Sequence, residues 1–310
     1  MTGGINGLIN EVVNQVVVLS TDILLPTMLL VFLFGMTLRV LIWFTVSREH
    51  WYSYEFSKRV HGFLEDKASR PDASFYVTLK RLMERTYYEL FEVRAKMMRR
   101  RPDAVRSLAD RLFLIQHGCA RVVRDTLKQV KYLRYDGQHP RFLEISKNTF
   151  ENNTAFNKVF GVIPASGFND FLNVLPGLFI VGGIFGTFLG IMQALPDLSS
   201  MDLTDAEGTK VIMDTFLLKV AYSMSTSIVG IIFSVCQQLL NTALSPEKIF
   251  INTVNRFETS LTELWFRCKN NLLPEDLKEF DEHKDPLDAL AAEAVEKENE
   301  RKAANLPRSA

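Results

Sequence analysis

Three long apolar blocks constrain the fold of this chain more than any other feature of its sequence. They cover residues 23–44, 174–195 and 216–241. At a rise of about 1.5 Å per residue, a helix of about 20 residues crosses the roughly 30 Å hydrocarbon layer of a bilayer. Because lipid offers the backbone no hydrogen-bond partner, each block is predicted to be a transmembrane helix. The first block has no basic segment before it and no small-residue cleavage site after it, which favours a retained helix over a cleaved signal peptide.

Charged residues are almost absent from these blocks. The second block has none, the third has only Lys219 near its start, and the first has Arg39 toward its C-terminal end. The simplest interpretation of both is that a long side chain extends to the nearer membrane interface. The formal net charge of zero over 310 residues therefore hides a strong segregation of charge and by itself says little about partners.

Lys and Arg residues near the ends of the blocks predict the orientation of the chain. One side carries Arg48, Lys58, Arg59, Lys158, Lys248 and Arg256. The opposite side carries Lys210 alone, among the acidic residues Asp197, Asp202, Asp205, Glu207 and Asp214. Since cytoplasmic segments are enriched in Lys and Arg, we expect the N-terminus to lie outside and the C-terminus in the cytoplasm.

These patterns predict an all-α membrane protein with three transmembrane helices and a helical cytoplasmic domain. The predicted segments are a periplasmic N-terminus (1–22), transmembrane helix 1 (23–47), the cytoplasmic helical domain (48–173), transmembrane helix 2 (174–195), an acidic periplasmic hairpin (196–215), transmembrane helix 3 (216–242), a cytoplasmic helix (243–273) and a mobile charged tail (274–310).

The cytoplasmic segments have helical periodicity. Apolar spacing predicts amphipathic helices over 74–99 and 104–132. Pro246, after a capping Ser, predicts the start of another helix. The run Arg99-Arg100-Arg101 is compatible with binding nucleic acid or anionic lipid, but a solvated face is the simpler interpretation, and no nucleic-acid partner is expected.

A stripe of small and polar residues follows one face of the third block. Its members recur at spacings of three and four, and they are Ser223, Thr226, Ser227, Gly230 and Ser234, continued by Gln237, Gln238 and Asn241. Such a stripe faces a bundle interior or a water-filled cavity. Two interpretations stay open: hydroxyls that only bond a neighbouring helix, and hydroxyls that line a pore. Gly182, Gly186 and Gly190 in the second block and Gly230 in the third predict close helix packing in either case.

The sequence contains no recognisable catalytic or metal-binding motif, so we predict neither an enzyme nor a bound cofactor. Cys119, Cys236 and Cys268 lack the spacing of zinc ligands. No Asp, Glu or His lies at mid-membrane depth. A proton pathway would therefore take its carboxylate from another chain, and the lack of further oxygen ligands favours H⁺ over Na⁺ as the coupling ion.

Two short segments carry a family resemblance. Gly186-Thr187-Phe188-Leu189-Gly190-Ile191 and Ser225-Thr226-Ser227-Ile228-Val229-Gly230-Ile231 resemble the matching elements of the MotA/TolQ/ExbB proton-channel family. Asn241 matches an Asn that ends the third helix in its TolQ- and ExbB-like members, which share the three-helix plan. Leu175-Pro176-Gly177-Leu178 is also similar to the motor subunits of Zorya-type phage-defence systems. Gly230 follows Thr226 by four positions where that pattern has three, which makes Ser227 an alternative for the Thr role.

The resemblance implies a homo-pentamer in the bacterial inner membrane, with a single-span partner of the ExbD/TolR/MotB type. The partner's membrane Asp would carry the proton, and Thr187, Thr226, Ser227 and Ser223 would form the ion pathway. The implied function is the channel-forming stator subunit of a motor driven by proton motive force.

An alternative function is a non-conducting membrane scaffold that recruits cytoplasmic partners, and in either case 48–173 is a candidate surface for a cytoplasmic effector. Three helices without an internal repeat disfavour a monomeric transporter. The process that such a motor would power stays open among outer-membrane energisation, motility and phage defence.

Overall fold

The computed structural model describes residues 2–65, 74–93, 113–135, 139–159, 163–199, 206–273, 280–281 and 284–304. Most of these residues are helical. The helices are α1 (Thr2–Glu65), α2 (Phe75–Tyr88), α3 (Ile115–Val130), α4 (Phe142–Glu151), α5 (Ala165–Ser199), α6 (Ala206–Ala243), α7 (Pro246–Arg267) and α8 (Pro286–Ala304). A turn of π-helix over Glu89–Val93 continues α2. One small element departs from the all-α prediction, because β1 (Lys158–Val159) pairs antiparallel with β2 (Ile163–Pro164).

Among the described residues, three helical stretches are long and apolar enough to cross a membrane, in agreement with the predicted number. They are Ile23–Glu65, Ala165–Ser199 and Glu207–Arg267. Each extends beyond its apolar block, and α1 is already helical from Thr2, within the segment predicted to be a periplasmic N-terminus. Pro26 lies inside α1 and Pro176 inside α5, which membrane helices tolerate.

The chain divides into two compact units, and each is described by itself. The membrane unit comprises Met1–Leu41 and Ser166–Ser245, and the helical unit comprises Ile42–Ala165 and Pro246–Ala310. The helical unit thus has its internal boundary at Ala165, whereas the sequence predicts a cytoplasmic domain that continues to residue 173. Helix α5 begins directly after Pro164, and Gly167 lies inside it with open space at its Cβ position.

Aromatic rings from all three membrane helices meet in the core of the membrane unit. Phe32 of α1 stacks on Phe233 of α6 with ring centroids 4.4 Å apart. Phe179 of α5 packs edge-on against both, at 5.9 and 5.8 Å. Such edge and offset arrangements are favoured by the charge distribution of the rings, so this cluster holds α1, α5 and α6 together.

The helical unit has its own aromatic core. The Trp265 ring of α7 lies 5.0 Å from the Phe75 ring of α2 and 5.7 Å from the Phe142 ring of α4. Helix α7 begins at Pro246, as the sequence predicts, because proline fits the first helical turn without losing a hydrogen bond.

The structure describes residues 113–132 of the predicted helix over 104–132. Leu114 has a φ of 50°, in the left-handed region, and α3 starts at the next residue. A non-glycine residue in this conformation interrupts a right-handed helix. Residues 94–112, which include Arg99-Arg100-Arg101, lie outside the described part of the chain, as do Asp202 and Asp205 of the acidic hairpin.

The C-terminal segment differs from the predicted mobile tail. Helix α8 (Pro286–Ala304) packs in the helical unit, where Ala289 and Leu290 are buried. The Tyr88 hydroxyl donates a hydrogen bond to the main-chain oxygen of Leu290. The few apolar residues of this segment are thus enough to hold its first turns in place, although its overall composition is charged.

Candidate functional site

The polar stripe of α6 is buried in the membrane unit, as its periodicity predicts. The buried members are Ser223, Thr226, Gly230, Ser234, Gln237 and Asn241. Gln238 is exposed and does not belong to this face. The opposite face, with Ile228, Ile231, Ile232 and Val235, is exposed. Because α6 turns its polar side inward and its apolar side outward, the stripe is a feature of the helix interface and not of the lipid-facing surface.

Near the glycines, the stripe bonds to α5 at the main-chain oxygen of Gly183. The Ser227 hydroxyl donates to the Gly183 oxygen at 2.9 Å. The Thr226 hydroxyl lies 3.4 Å from the same atom and 2.7 Å from the Ser223 oxygen of its own helix. Since a hydroxyl has one proton to donate, the shorter contact is the main bond of Thr226. Gly183 was not among the predicted packing residues, although it adjoins Gly182.

Glycines let the two helix backbones approach at this interface. A Cβ at Gly186 would lie 2.5 Å from the Thr226 hydroxyl oxygen, and one at Gly190 would overlap Ser223. A Cβ at Gly230 would lie 2.5 Å from the main-chain oxygen of Phe179. These three predicted packing residues therefore do lie between α5 and α6, in the small-residue packing common in membrane helices.

Gly182 packs elsewhere. A Cβ at this position would be in ordinary contact with Met28 of α1, 3.4 Å from its sulfur. The glycines at spacing four therefore do not all face the same partner helix.

A cavity of about 200 Å³ lies beside Gly186 and Gly190, between α1, α5 and α6. Gly186, Gly190, Ser223 and Thr226 contribute to its wall. Its other lining residues are Leu24, Gln193, Leu218, Lys219 and Tyr222. The structure therefore brings two of the four predicted pathway residues, Ser223 and Thr226, to one cavity and places Ser227 next to it along α6.

Thr187 lies apart from this cavity. It is half-buried, and its hydroxyl donates to the Ile184 oxygen of its own helix at 2.6 Å. It is not among the lining residues. The α5 side of the cavity is formed instead by Gly186, Gly190 and Gln193.

Arg39 is bonded to two other membrane helices, which its position in the sequence did not predict. Its side chain is buried, with 2% of the residue surface exposed. One guanidinium nitrogen donates to the side-chain oxygen of Asn169 and another to the main-chain oxygen of Asn241, both at 2.6 Å. Acceptors on α5 and α6 thus hold the guanidinium inside the bundle. The available signal was that Arg39 stands well inside its apolar block.

Lys219 lines the cavity and forms an ion pair with Asp197. Its ammonium nitrogen lies 2.6 Å from a carboxylate oxygen of Asp197 at the end of α5. Both side chains are partly exposed, so this ion pair contributes modestly to stability. It nevertheless places one positive and one negative charge at this end of the cavity.

The described residues contain no group of three or more His, Cys, Asp or Glu side chains that could hold a metal ion. Cys119 and Cys268 are buried free thiols, and Cys236 is an exposed one.

No family model matches the chain, and no curated protein matches it closely enough to indicate a relative.

Proposed function

We propose that this chain is the channel-forming stator subunit of a motor driven by proton motive force. The observation that carries the proposal is the cavity in which the buried hydroxyls of Ser223 and Thr226 face Gly186 and Gly190. Each hydroxyl donates its proton to a main-chain oxygen of α6, Ser223 to Val220 and Thr226 to Ser223, so each oxygen can still accept a hydrogen bond from a polar group in the cavity. The same residues carry the resemblance to the MotA/TolQ/ExbB family.

The proposed working unit is a homo-pentamer in a bacterial inner membrane, with the N-terminus outside and the C-terminus in the cytoplasm. A single-span partner of the ExbD/TolR/MotB type supplies an Asp that accepts a proton, passes the hydroxyls of α6 and releases the proton on the other side. Ser223 and Thr226 offer oxygen atoms that stabilise the carboxyl group by hydrogen bonds. A proton crossing 100 mV contributes about 2.3 kcal/mol, which biases a helix rotation when the two are coupled.

A second candidate function is a non-conducting scaffold, and one observation favours it. The Ser227 hydroxyl already bonds the Gly183 oxygen, so part of the polar stripe is used to hold α5 against α6. A scaffold would need the stripe for helix association alone. The two functions differ in what removal of a hydroxyl does: it should stop ion movement in a motor and only weaken packing in a scaffold.

The test is proton uptake by membrane vesicles from cells that contain the full chain with the partner that copurifies with it. Native mass spectrometry of the gently extracted complex identifies that partner. Thr226→Val keeps the side-chain shape and removes the cavity hydroxyl, and Ser223→Ala removes the other. Thr242→Val is the matched control, because Thr242 is exposed on the same helix and bonds only its own turn, at the Gln238 oxygen.

We expect the double variant to lose at least tenfold in proton uptake while the control keeps the original rate. Full uptake in a correctly assembled double variant would overturn the motor proposal. Copurification of several copies of this chain with no single-span, Asp-bearing protein would favour the scaffold instead.

A further inference from the structure

The small-residue contacts between α5 and α6 do not define a unique register. In the structure Gly186 faces Thr226 and Gly190 faces Ser223. Because Gly186 and Gly190 are four residues apart on α5 and small residues recur every three or four on α6, a slide by one helical turn again brings small residues together. Gly190 would then face Thr226, and Gly186 would face Gly230. Van der Waals packing alone therefore discriminates weakly between the two registers.

A buried polar network lies at the end of the unit where α6 finishes and α5 begins. Arg39 of α1 donates to Asn169 of α5 and to the main-chain oxygen of Asn241 on α6. The Asn241 amide donates to the Leu172 oxygen of α5 at 2.6 Å and accepts from Gln237 at 3.1 Å. Every side chain in this network is buried. Its bonds are directional and link all three membrane helices.

We propose that Arg39 is a positioning residue that fixes the register of α6 against α5. This register determines that Ser223 and Thr226 lie opposite Gly190 and Gly186. A slide of one turn moves α6 by about 5 Å along its axis. Such a shift would pull the Asn241 oxygen away from the guanidinium and its amide away from Leu172. Because a buried donor or acceptor left without a partner is costly, the network opposes the slide where the glycines do not.

Fixing one end of α6 fixes the other, because an α-helix is stiff along its axis. Asn241 and Thr226 are on the same continuous helix. At about 1.5 Å per residue they are separated by roughly 22 Å, so a restraint at Asn241 reaches the cavity hydroxyls. The consequence for ion movement rests on the proposed function, whereas the register itself does not.

The experiment measures the distance between spin labels on α5 and α6 of the full-length chain in nanodiscs. Labels at Val181→Cys and Leu217→Cys occupy exposed positions outside the cavity wall and are offset along the helix axis. Cys236, the exposed thiol, is replaced by Ser, and the protein is diluted with unlabelled chain so that the distances within one copy dominate.

With Arg39 present we expect one distance. Arg39→Gln should add a second peak displaced by several ångströms, the projection of a slide of about 5 Å on the line between the labels. Arg48→Gln is the matched control, because Arg48 is an arginine of the same helix that packs over the Phe44 ring and belongs to the helical unit. It should keep the single distance.

A single peak in Arg39→Gln, whether sharp or only broadened, would overturn the inference, because a merely looser bundle broadens a distance without adding a displaced one. If the Arg39→Gln chain does not insert into the membrane, Asn169→Ala takes its place, because it removes one acceptor of Arg39 and retains the charge. A second, displaced peak again supports the inference, and a single peak overturns it. The distance is read without ion flux. A second register therefore supports the inference even if Thr226→Val leaves uptake intact, and a single register overturns it even if uptake is lost.

Discussion

The ammonium nitrogen of Lys80 lies 2.9 Å from a carboxylate oxygen of Glu293, which joins α2 to the C-terminal helix α8. Glu84, a turn after Lys80 and buried, also reaches this pair, 3.7 Å from the ammonium nitrogen. Two carboxyl groups and one ammonium group thus share a site in which solvent is largely excluded. The cluster links the docking of α8 to the protonation of Glu293.

Docking of α8 should weaken as the pH rises. Burial, with a hydrogen bond and charge repulsion from Glu84, raises the pKa of Glu293 to about 8 from its ordinary 4.5, although Lys80 acts in the opposite direction. A released helix would lose this proton near pH 4.5, while the docked helix keeps it up to about pH 8. Protection of α8 amides from hydrogen exchange, corrected for intrinsic rates, should therefore fall between these two pH values and level off above them.

Glu293→Gln should remove this pH dependence, because the amide is uncharged at every pH and keeps a hydrogen-bond donor. Its α8 protection at pH 9 should match that at pH 6. Asp288→Asn, an exposed position of the same helix, should behave like the unmodified chain. Equal protection of the unmodified chain at pH 6 and pH 9 would show that Glu293 does not control docking.

Leu290→Ala should release α8 from the helical unit. Leu290 has no exposed surface, and truncation of a fully buried leucine costs about 2–5 kcal/mol. We expect a matching loss of hydrogen-exchange protection over α8 alone. Val295→Ala, which shortens an exposed residue of the same helix, should change protection by less than about 0.5 kcal/mol. A similar loss in both variants would contradict a docking role for Leu290.

Gly230→Ala should destabilise the membrane unit. The new Cβ would lie 2.5 Å from the main-chain oxygen of Phe179, and this backbone atom cannot move without shifting α5. Overpacking of this kind costs about 1–3 kcal/mol. Thermal denaturation in detergent should show a lower midpoint. Gly177→Ala in α5 is the control, since its Cβ meets nothing within 4 Å, and its midpoint should stay the same or rise.

Ser227→Ala should weaken the contact between α5 and α6 by about 1 kcal/mol, because it leaves the Gly183 oxygen without this 2.9 Å hydrogen bond. Ser225→Ala is the control on the same helix, since the Ser225 hydroxyl bonds only the Tyr222 oxygen of its own turn. Denaturation midpoints of the two variants give the difference. An unchanged midpoint for Ser227→Ala would mean that its bond to α5 contributes nothing to helix association.

Local patterns in the sequence were sufficient for the features that depend on helix periodicity. The three apolar blocks predicted the three membrane helices because span length and hydropathy are properties of a continuous segment. The inward face of α6 followed from the spacing of Ser223, Thr226 and Gly230, since residues three and four apart share one side of a helix. The start of α7 at Pro246 was likewise readable from a few adjacent residues.

The predictions that were wrong or incomplete concern contacts between distant segments. The sequence did not reveal the partners of Arg39, because Asn169 and Asn241 are far away from it along the chain. The segment that contains α8 was expected to be mobile because its composition is charged. That composition does not reveal the bonds from Tyr88 and Lys80 of α2.

The sequence by itself determined how many helices can span a membrane and which face of α6 is polar, because both depend only on residues that are close together along the chain. Only the tertiary structure decided that Ser223 and Thr226 share a cavity with Gly186 and Gly190 while Thr187 lies outside its lining. Which residues of α5 and α6 meet at the cavity depends on the register between these two helices. Small residues permit more than one register, and a buried guanidinium contributed by a third helix bonds to both of the others.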